Sequence, residues 1–349
     1  MSIKLRLYHG AVTTLCCLFI TWVFAVQAEA LKCKLCGDAT DKDIFPALGL
    51  SDAVHFWCQV FTVWQRGQVA LHDDQHLGIV YEVLELPGEV GEDYTPEQRA
   101  YIERRRKMLV RQLVDLERQL RAAKPLSATQ QALLTKIESS ADRHAIKRAS
   151  DRLRRQRGMR ERFLKGLAIS GRYDKLIRAE FRQAGLPEDL AYLPHLESSF
   201  INRAQSSAGA VGVWQFMPAT GRRFLMMNRA VDERYDPVLA ARGAARYLAD
   251  AYALLGDWGL AITSYNHGVG GMARARALHG PDIAHIVHHY QGRRFGFASR
   301  NFYAEFLAVR QIIQNLTHYF PEGVRFEPPL EAERIQLKDA VSIAHLTTT

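Results

Sequence analysis

The 349-residue sequence predicts a mainly α-helical protein with a few short strands in its N-terminal part. Apolar residues recur at helical spacing in two long stretches, residues 94–123 and 237–255. Period-two alternation is confined to residues 56–85, and strands do not alternate with helices as they do in a parallel sheet. We therefore expect helices to build the core and to carry the functional residues.

The first 30 residues have the pattern of a secretory signal peptide. Basic Lys4 and Arg6 precede an apolar core, residues 11–26, and small residues flank Glu29 at the expected cleavage position. The apolar run is short for a bilayer span, which takes about 20 residues. We expect export to the periplasm of a Gram-negative-type bacterium, peripheral to the envelope, with no integral membrane span after cleavage.

Five cysteines are present, two of them inside the apolar leader, where the preceding residues do not match a lipidation signal. Cys33, Cys36 and Cys58 remain in the mature chain. In an oxidising compartment a disulfide that involves Cys33 or Cys36 is favoured over a zinc site, for which His55 is the obvious local fourth ligand. The third thiol is then free or pairs between chains.

Residues 31–157 are predicted to form a helical extension with short strands. The strands fall within residues 56–85, and a long helix covers residues 94–123 and ends before Pro125. A second, arginine-rich helix is predicted from about residue 128 to residue 158. Its arginines form either a solvated face or a wall-binding surface, and the sequence leaves both interpretations open.

Glu197 ends an apolar helical stretch in the second half of the chain. It follows Leu193 by four residues and Leu190 by seven, so its side chain projects from the buried face. Apolar surroundings disfavour the charged carboxylate and raise its pKa, which is the property that a general acid needs. Taken alone, Glu197 is better explained as a helix end that bonds to the neighbouring serines, and only the segments downstream overturn that interpretation.

Two segments downstream of Glu197 add polar and aromatic groups. In Gly209–Gln215, two glycines bracket a short loop whose backbone can approach a ligand closely. The other segment, Ser264–Gly268, reads Ser-Tyr-Asn-His-Gly. Between them, Met217–Gly221 indicates the start of a helix, and Asp236-Pro237 indicates the cap and first residue of another, which Gly256 ends.

Glu197-Ser198, Gly212-Val-Trp-Gln215 and Tyr265-Asn266-His-Gly268 together resemble the three ordered motifs of the family 1 lytic transglycosylases, the Slt-type catalytic domain. Within that family the likeness is greatest to the membrane-bound lytic transglycosylase D group. The resemblance implies a lysozyme-like, mainly α domain with a groove between helices, which we place at residues 158–318. The tail, residues 319–349, resembles the start of an incomplete wall-binding module.

The resemblance also implies a role for each motif residue. Glu197 matches the single catalytic acid/base, and Ser206 matches the hydroxyl that lies near it. Gln215 matches the amide that orients the N-acetylated sugar, and Tyr265 matches the phenol that lines the cleavage subsite. Asn266 belongs to the same motif as Tyr265, either as a sugar contact or as a cap.

Two positions depart from the family pattern. Trp214 stands, after Val213, where other branches have Leu-Met, a change that is expected to alter a sugar-stacking surface. In the segment that matches a fourth motif, residues 299–305, Phe302 takes the place of the family's tyrosine and Tyr303 follows it. Tyr303 is therefore the candidate for the role of that phenol.

The resemblance implies non-hydrolytic cleavage of the MurNAc-GlcNAc β-1,4 bond of peptidoglycan. Ordinary glycoside hydrolysis uses two carboxylates, and the motifs supply only Glu197. The nearby acids Asp232, Glu233 and Asp236 are better explained by the start of the next helix. One carboxyl suffices if the 6-hydroxyl of the muramic acid attacks C1 and leaves a 1,6-anhydro end. Neither a metal ion nor a cofactor is required.

The expected partners are peptidoglycan glycan strands and envelope or cell-wall machinery, and not nucleic acid. The formal net charge is +9, and +8 once the leader is removed. A basic surface suits nucleic acid in general, but an exported protein meets the carboxylates of peptidoglycan stem peptides first. His285, His288 and His289 have no acidic partner nearby and predict a polar helix face.

Two other functions stay open on the sequence alone. A goose-type, lysozyme-like muramidase would share Glu197 but use water, and a second carboxylate across the groove would favour it. A noncatalytic peptidoglycan-binding scaffold would keep only the groove. The intact Glu197, Gln215 and Tyr265 argue against the scaffold.

Overall fold

The computed structural model describes residues 43–331. Over these residues the predicted mainly α class is confirmed, since helices carry most of the chain and the named strands form one small sheet. None of the helices in this range has both the length and the apolar content needed to cross a bilayer. The predicted leader, Cys33 and Cys36 lie outside the described residues. Cys58 is buried, with its sulfur 3.9 Å from the carbonyl oxygen of Ala308.

The elements follow one another as helices, a small sheet and then helices again. The α-helices are α1 (Ser51–Thr62), α2 (Pro96–Arg121), α3 (Ala128–Glu138), α4 (Arg160–Ser170), α5 (Asp174–Gln183), α6 (Leu193–Glu197), α7 (Pro218–Phe224), α8 (Pro237–Leu255), α9 (Trp258–His267), α10 (Val269–His279), α11 (Ile283–His289), α12 (Phe297–Gln314) and α13 (Leu316–Tyr319). The strands are β1 (Gln68–Asp73), β2 (Val80–Glu85) and β3 (Leu153–Arg157).

The predicted long helix is confirmed as α2. Thr95 caps it, because its hydroxyl accepts the backbone N–H of Gln98 while the Gln98 side chain accepts the backbone N–H of Thr95. The predicted strands are confirmed only in part. Residues 56–62 belong to α1 instead, because their bulky residues bury one helical face in the core.

The second predicted helix, residues 128–158, is wrong beyond Glu138. Residues 153–157 form β3, which pairs antiparallel with β1 in the register Val69 opposite Arg157. The sheet order is β2-β1-β3, so β3 covers the edge of β1 that β2 leaves open. A long-range pairing has therefore overridden the local helical preference of the arginine-rich segment.

Two hydrophobic cores meet at this sheet. Val69 and Leu71 of β1 belong to the smaller core, which the apolar face of α2 covers. Ala70 belongs to the larger core, which contains α1 and the helices between residues 163 and 320. The ring of His72 lies 4.6 Å from that of Phe56, on the side of the larger core. The sheet thus separates α2 from the helices that carry Glu197.

The predicted helix after Asp236 is confirmed as α8. The Asp236 carboxylate accepts the backbone N–H groups of Val238 and Leu239, and Gly256 ends the helix with a φ of +68°. Arg242 of this helix forms a two-point ion pair with the buried Glu180 of α5. The pair fixes α8 against the helix that leads to the site.

Candidate active site

Glu197 is the last residue of α6 and lies directly before a strained turn. The sequence predicted one continuous helix before Glu197. The structure instead has a 3-10 turn, Glu188–Tyr192, followed by the short α6. Directly after Glu197 and Ser198, both Ser199 and Phe200 adopt left-handed backbone conformations, with φ of +53° and +59°. Such conformations are unfavourable for residues other than glycine and persist where the surroundings impose them. The chain thus turns sharply and leaves the Glu197 side chain at a helix end.

Two residues of α4 support this turn. The guanidinium of Arg162 donates a 3.1 Å hydrogen bond from Nε to the hydroxyl of Ser199. Gly166 lies directly against the same residue, because a Cβ atom on Gly166 would be 3.0 Å from the Cβ of Ser199. A small residue is therefore needed at position 166 for the turn to pack closely.

Ser198 joins the end of α6 to the second motif. Its side chain is fully buried, and its hydroxyl donates a 2.9 Å hydrogen bond to the carbonyl oxygen of Val213. The loop that contains Val213 is therefore held in register with Glu197.

The loop of the second motif is built around two glycines and one arginine. Gly209 and Gly212 have φ of +86° and +77°, and a Cβ atom on Gly212 would overlap the carbonyl oxygen of Arg234. The buried Arg234 guanidinium donates to the carbonyl oxygens of Gly209 and Phe216 and pairs with Asp232. Asp232 thus has a structural role in this loop, and Asp236 alone caps the next helix.

Gln215 has a fixed side-chain amide. Its backbone is left-handed, with a φ of +48°, and its Nε2 donates to the carbonyl oxygens of Ala204, at 3.2 Å, and Gly212, at 2.8 Å. Because both amide protons are used within the loop, Oε1 is the atom that remains for a ligand donor. The half-buried side chain is thereby oriented as an acceptor.

Tyr265 links the third motif to the other two. Its hydroxyl donates a 2.9 Å hydrogen bond to the carbonyl oxygen of Trp214, and its ring packs edge-on against those of Phe216 and Tyr247. Burial raises its pKa well above the usual range, and the charge of Glu197 raises it further. Tyr265 therefore lies beside Glu197 as a neutral phenol.

The structure corrects two of the expected sugar contacts. Trp214 has no exposed surface, and its indole Nε1 donates to the carbonyl oxygen of Pro237 inside the core. Tyr303 is 1% exposed, and its hydroxyl donates to the carbonyl oxygen of Pro46. Phe302 is buried as well. These side chains fill the core and offer no surface to a sugar.

Ser206 and Asn266 have partners within the protein. The hydroxyl of Ser206 accepts the backbone N–H of Ala210 at 3.0 Å and so shapes the loop. The exposed Asn266 accepts a 2.7 Å hydrogen bond from the hydroxyl of the buried Ser299 on α12. Their contact with a sugar stays a prediction.

A second carboxyl, Glu305 of α12, lies within electrostatic reach of Glu197, and the sequence analysis missed it. Burial raises the pKa of Glu197 to about 8, and the charge of Glu305 adds to that effect. Burial likewise raises the pKa of Glu305 to about 8. Glu305 is the single acid in α12 and has apolar neighbours on both sides, a signal that could have identified it.

The two carboxyls therefore favour proton retention near neutral pH. Desolvation disfavours the charged form of each, and like charges oppose joint ionisation of the pair. Glu197 at a helix end is then a proton donor, while a neutral Glu305 cannot serve as a base. Within residues 43–331, no group of three or more His, Cys, Asp or Glu side chains has a metal-binding arrangement.

Comparison with known proteins finds similarity over the part of the chain that contains Glu197, Gln215 and Tyr265. Residues 175–282 match the Transglycosylase SLT domain family. Over 180 residues, the chain is 28% identical to Membrane-bound lytic murein transglycosylase D of Escherichia coli strain K12 and to the protein of the same name from strain O6:H1. The alignment covers 48% of this chain and 37% of each relative, so the chain spans little more than a third of their length.

Among solved structures, the 70 kDa soluble lytic transglycosylase SLT70 of Escherichia coli is similar at 18% identity with a TM-score of 0.35. That match covers 41% of this chain and 24% of the other, and it is too weak to support a conclusion. The resemblance that the three motifs predicted is confirmed by the match of residues 175–282 and by the aligned relatives.

Proposed function

We propose that this chain, whose residues 175–282 match the Transglycosylase SLT domain family, is a peptidoglycan lytic transglycosylase. The observation that carries the proposal is the position of Glu197 at the end of α6, where burial raises the pKa of its carboxyl to about 8 and so favours the protonated form at neutral pH. It lies beside the phenol of Tyr265 and is joined through Ser198 to the loop that holds Gln215. The names of the aligned relatives, lytic murein transglycosylases, support the same substrate.

In the proposed reaction Glu197 acts twice. It first protonates the oxygen of the MurNAc-GlcNAc β-1,4 bond, which breaks as the GlcNAc hydroxyl leaves and positive charge develops at C1 of the muramic acid. The Glu197 carboxylate then takes the proton of the 6-hydroxyl of the same sugar, and that oxygen bonds to C1. A 1,6-anhydroMurNAc end forms, no water is consumed, and Glu197 regains its proton.

The state of Glu305 favours this route over a muramidase. Hydrolysis needs a second carboxylate, ionised, to activate water or to bind C1. Glu305 is the second carboxyl, but its pKa of about 8 keeps it neutral in the range where Glu197 works as an acid. An attacking hydroxyl held in the bound sugar requires no further base, because its effective concentration is high.

Gln215 and Tyr265 are proposed to position the sugar. With both amide protons bound to loop carbonyls, Oε1 of Gln215 suits the N–H of an N-acetyl group. The hydroxyl of Tyr265 is committed to the carbonyl oxygen of Trp214, so its ring is held as a wall beside Glu197. Ser206 and Asn266 are proposed as further sugar contacts at the loop and at α9.

We propose an exported, periplasmic protein, peripheral to the envelope, on the basis of the leader pattern in residues 1–30. We also propose the domain division that the sequence predicted. It consists of a leader, an extension to residue 157, a catalytic part at residues 158–318 and a tail. Location and division need tests separate from that of the activity.

The activity is tested with purified sacculi and the variant Glu197→Gln. This change removes the titratable proton and keeps the shape, so release of soluble muropeptides should fall by at least about 100-fold. Glu97→Gln, on an exposed first turn of α2, is the matched control and should keep the wild-type rate. Equal release by both variants would remove Glu197 from its role, and binding of sacculi without release by the wild type would indicate a scaffold.

A further inference from the structure

The positive charge of this protein is concentrated in one segment. Residues 94–157 contain 17 lysines and arginines and 7 acids, a net charge of +10, while the complete chain has a net charge of +9. The remainder of the chain is therefore close to neutral, at −1. Glu197, Gln215 and Tyr265 lie in the neutral part, so the charge lies on other elements.

The exposed face of α2 carries a row of cations. Five of its basic residues recur at intervals of three, four and seven positions and so share one face: Arg104, Lys107, Arg111, Arg118 and Arg121. We call this row the basic ridge. It covers 17 residue steps, roughly 26 Å at about 1.5 Å per residue.

Three cations of the basic ridge have no acidic partner. Arg118 and Arg121 pair with Asp115 and Glu117 on the same helix. Arg104, Lys107 and Arg111 are exposed and form no ion pair within residues 43–331. The N-terminal half of the ridge therefore presents uncompensated charge to solvent.

The basic ridge does not belong to the groove. The opposite face of α2 is apolar and packs into the smaller core with β1 through Ile102, Leu109 and Leu113. β1 lies between that core and the larger core, which contains the helices around Glu197. The ridge and the helix that carries Glu197 thus belong to different cores, with β1 between them.

Resting on the proposed function, we propose that the basic ridge binds the carboxylates of peptidoglycan stem peptides and so holds the protein on the wall at a second point. The stem peptides repeat along each glycan strand, which matches a straight row of cations. Binding of one strand in the groove raises the effective concentration of neighbouring stems at the ridge. The gain is avidity for the meshwork without a change in the chemistry at Glu197.

The ridge fits an acidic polymer better than a lipid surface. Helices that lie in a membrane interface insert an apolar face, but the apolar face of α2 is buried in the protein. The large hydrophobic residues exposed on α2 are Met108 and Val114, with no exposed tryptophan or phenylalanine. Attraction to lipid by charge alone would lack the second anchoring signal that stable membrane attachment requires.

The test compares two triple variants, both in the Glu197→Gln background so that the sacculi stay intact. The ridge variant is Arg104→Glu, Lys107→Glu and Arg111→Glu. The control variant is Lys165→Glu, Lys175→Glu and Arg325→Glu, which reverses three exposed cations outside α2 and changes the net charge equally. Thermal unfolding of both variants shows whether they are folded.

We expect the ridge variant to bind sacculi about tenfold more weakly than the control variant at low salt, and the difference to vanish at high salt. Amidation of the sacculus carboxylates should remove the same difference. Equal binding by two folded variants would overturn the proposal. Binding of both variants to phosphatidylglycerol vesicles is measured as well. If the ridge variant lost binding to the vesicles but not to the sacculi, the ridge would be a lipid contact and the proposal would be overturned.

A failure of the ridge proposal is distinguishable from a failure of the proposed function. The ridge substitutions, made with Glu197 intact, should leave the cleavage of short soluble glycan fragments unchanged, since such fragments offer no neighbouring strand. If the wild-type protein cleaves no fragment, the proposed function fails whatever the binding result. If the ridge variant cleaved fragments more slowly than the wild type, the ridge would contact the substrate that is cleaved. That result would overturn the proposal that the ridge binds the wall at a second point.

Discussion

At the scale of single residues, Glu197 and Glu305 are the groups on which the chemistry depends. Each is half-buried, with a pKa raised to about 8, and Glu305 raises the pKa of Glu197 through its charge. A general acid must keep its proton until the bond breaks, so activity should depend on the protonated form of Glu197. Because both carboxyls lose their protons near the same pH, the rate of the reaction and the free energy of unfolding should both depend on pH in that range.

The first prediction concerns the pH profile. In the wild type, kcat/KM should fall as the pH rises through about 8, because Glu197 loses its proton there. Glu305→Gln removes the neighbouring charge, so the pKa of Glu197 falls and the alkaline limb moves to lower pH. Activity at pH 6 should persist. A folded Glu305→Gln protein that is inactive at every pH would show that Glu305 supplies a base, as in a hydrolase.

The second prediction concerns stability. A carboxyl whose pKa is raised in the folded state contributes stability that is fully present below its ordinary pKa of 4.5 and is lost as the pH rises through about 8. The free energy of unfolding should therefore decline between those values. Glu197→Gln and Glu305→Gln should each reduce the decline by on the order of 1–3 kcal/mol. Urea unfolding at pH 5 and at pH 8 measures the two free energies of unfolding. A difference between them that is the same in the variants as in the wild type would contradict the prediction.

The sequence predicted part of this site. Glu197, Gln215 and Tyr265 could be placed because each belongs to a local motif. Glu305 escaped because its approach to Glu197 depends on how α12 crosses α6, about a hundred residues away in the chain. Trp214 was assigned to a sugar surface because an exposed indole and a buried one look alike in sequence. The indole N–H of Trp214 donates to the carbonyl oxygen of Pro237, a contact that depends on the tertiary structure and could not be predicted from the sequence.

At the scale of elements, the loop before Gln215 depends on one close backbone approach. Gly212→Ala should be strongly destabilising, because a Cβ atom there would overlap the carbonyl oxygen of Arg234 and because the φ of +77° is unfavourable for alanine. Gly209→Ala is the matched control. Its φ is +86°, but a Cβ atom would meet nothing closer than 3.9 Å.

In this third prediction, the two variants share the unfavourable backbone conformation, and only Gly212→Ala adds the overlap with the carbonyl oxygen of Arg234. Gly209→Ala should cost about 1–2 kcal/mol of unfolding free energy, the cost of a left-handed alanine. Gly212→Ala should cost clearly more and should also reduce muropeptide release, because the loop can no longer hold Gln215. Equal losses of stability in the two variants would show that the approach to Arg234 is relaxed in solution.

Elements with a strong local signal were predicted well, and those that depend on distant partners were not. α2 was predicted from the helical spacing of its apolar residues and from the stop at Pro125, and α8 from the cap at Asp236-Pro237 and the stop at Gly256. β3 was assigned to a helix, because an arginine-rich stretch favours a helix until β1 pairs with it. The C-terminal part of α1, residues 56–62, was assigned to a strand, since apolar runs fit both periods.

At the scale of the whole molecule, the sheet lies between two hydrophobic cores and separates the two surfaces that they support. The larger core contains the helices that carry Glu197, and the smaller core packs against α2, which carries the basic ridge. The helical class was predictable from periodicity, but the separation of the two surfaces was not. It follows from β1, whose successive residues Val69, Ala70 and Leu71 face different cores.

The fourth prediction is the product itself, measured as the mass and reducibility of the sugar ends that the purified protein releases from sacculi. If the 6-hydroxyl of the muramic acid attacks C1, each new muramic end is one water lighter than a hydrolysed end. Borohydride cannot reduce it, because the anomeric carbon is closed in the anhydro ring. We predict such ends from the wild type and from Glu305→Gln alike. Predominantly reducing muramic ends from the wild type would contradict the account and show that water, activated by a carboxylate, is the attacking group.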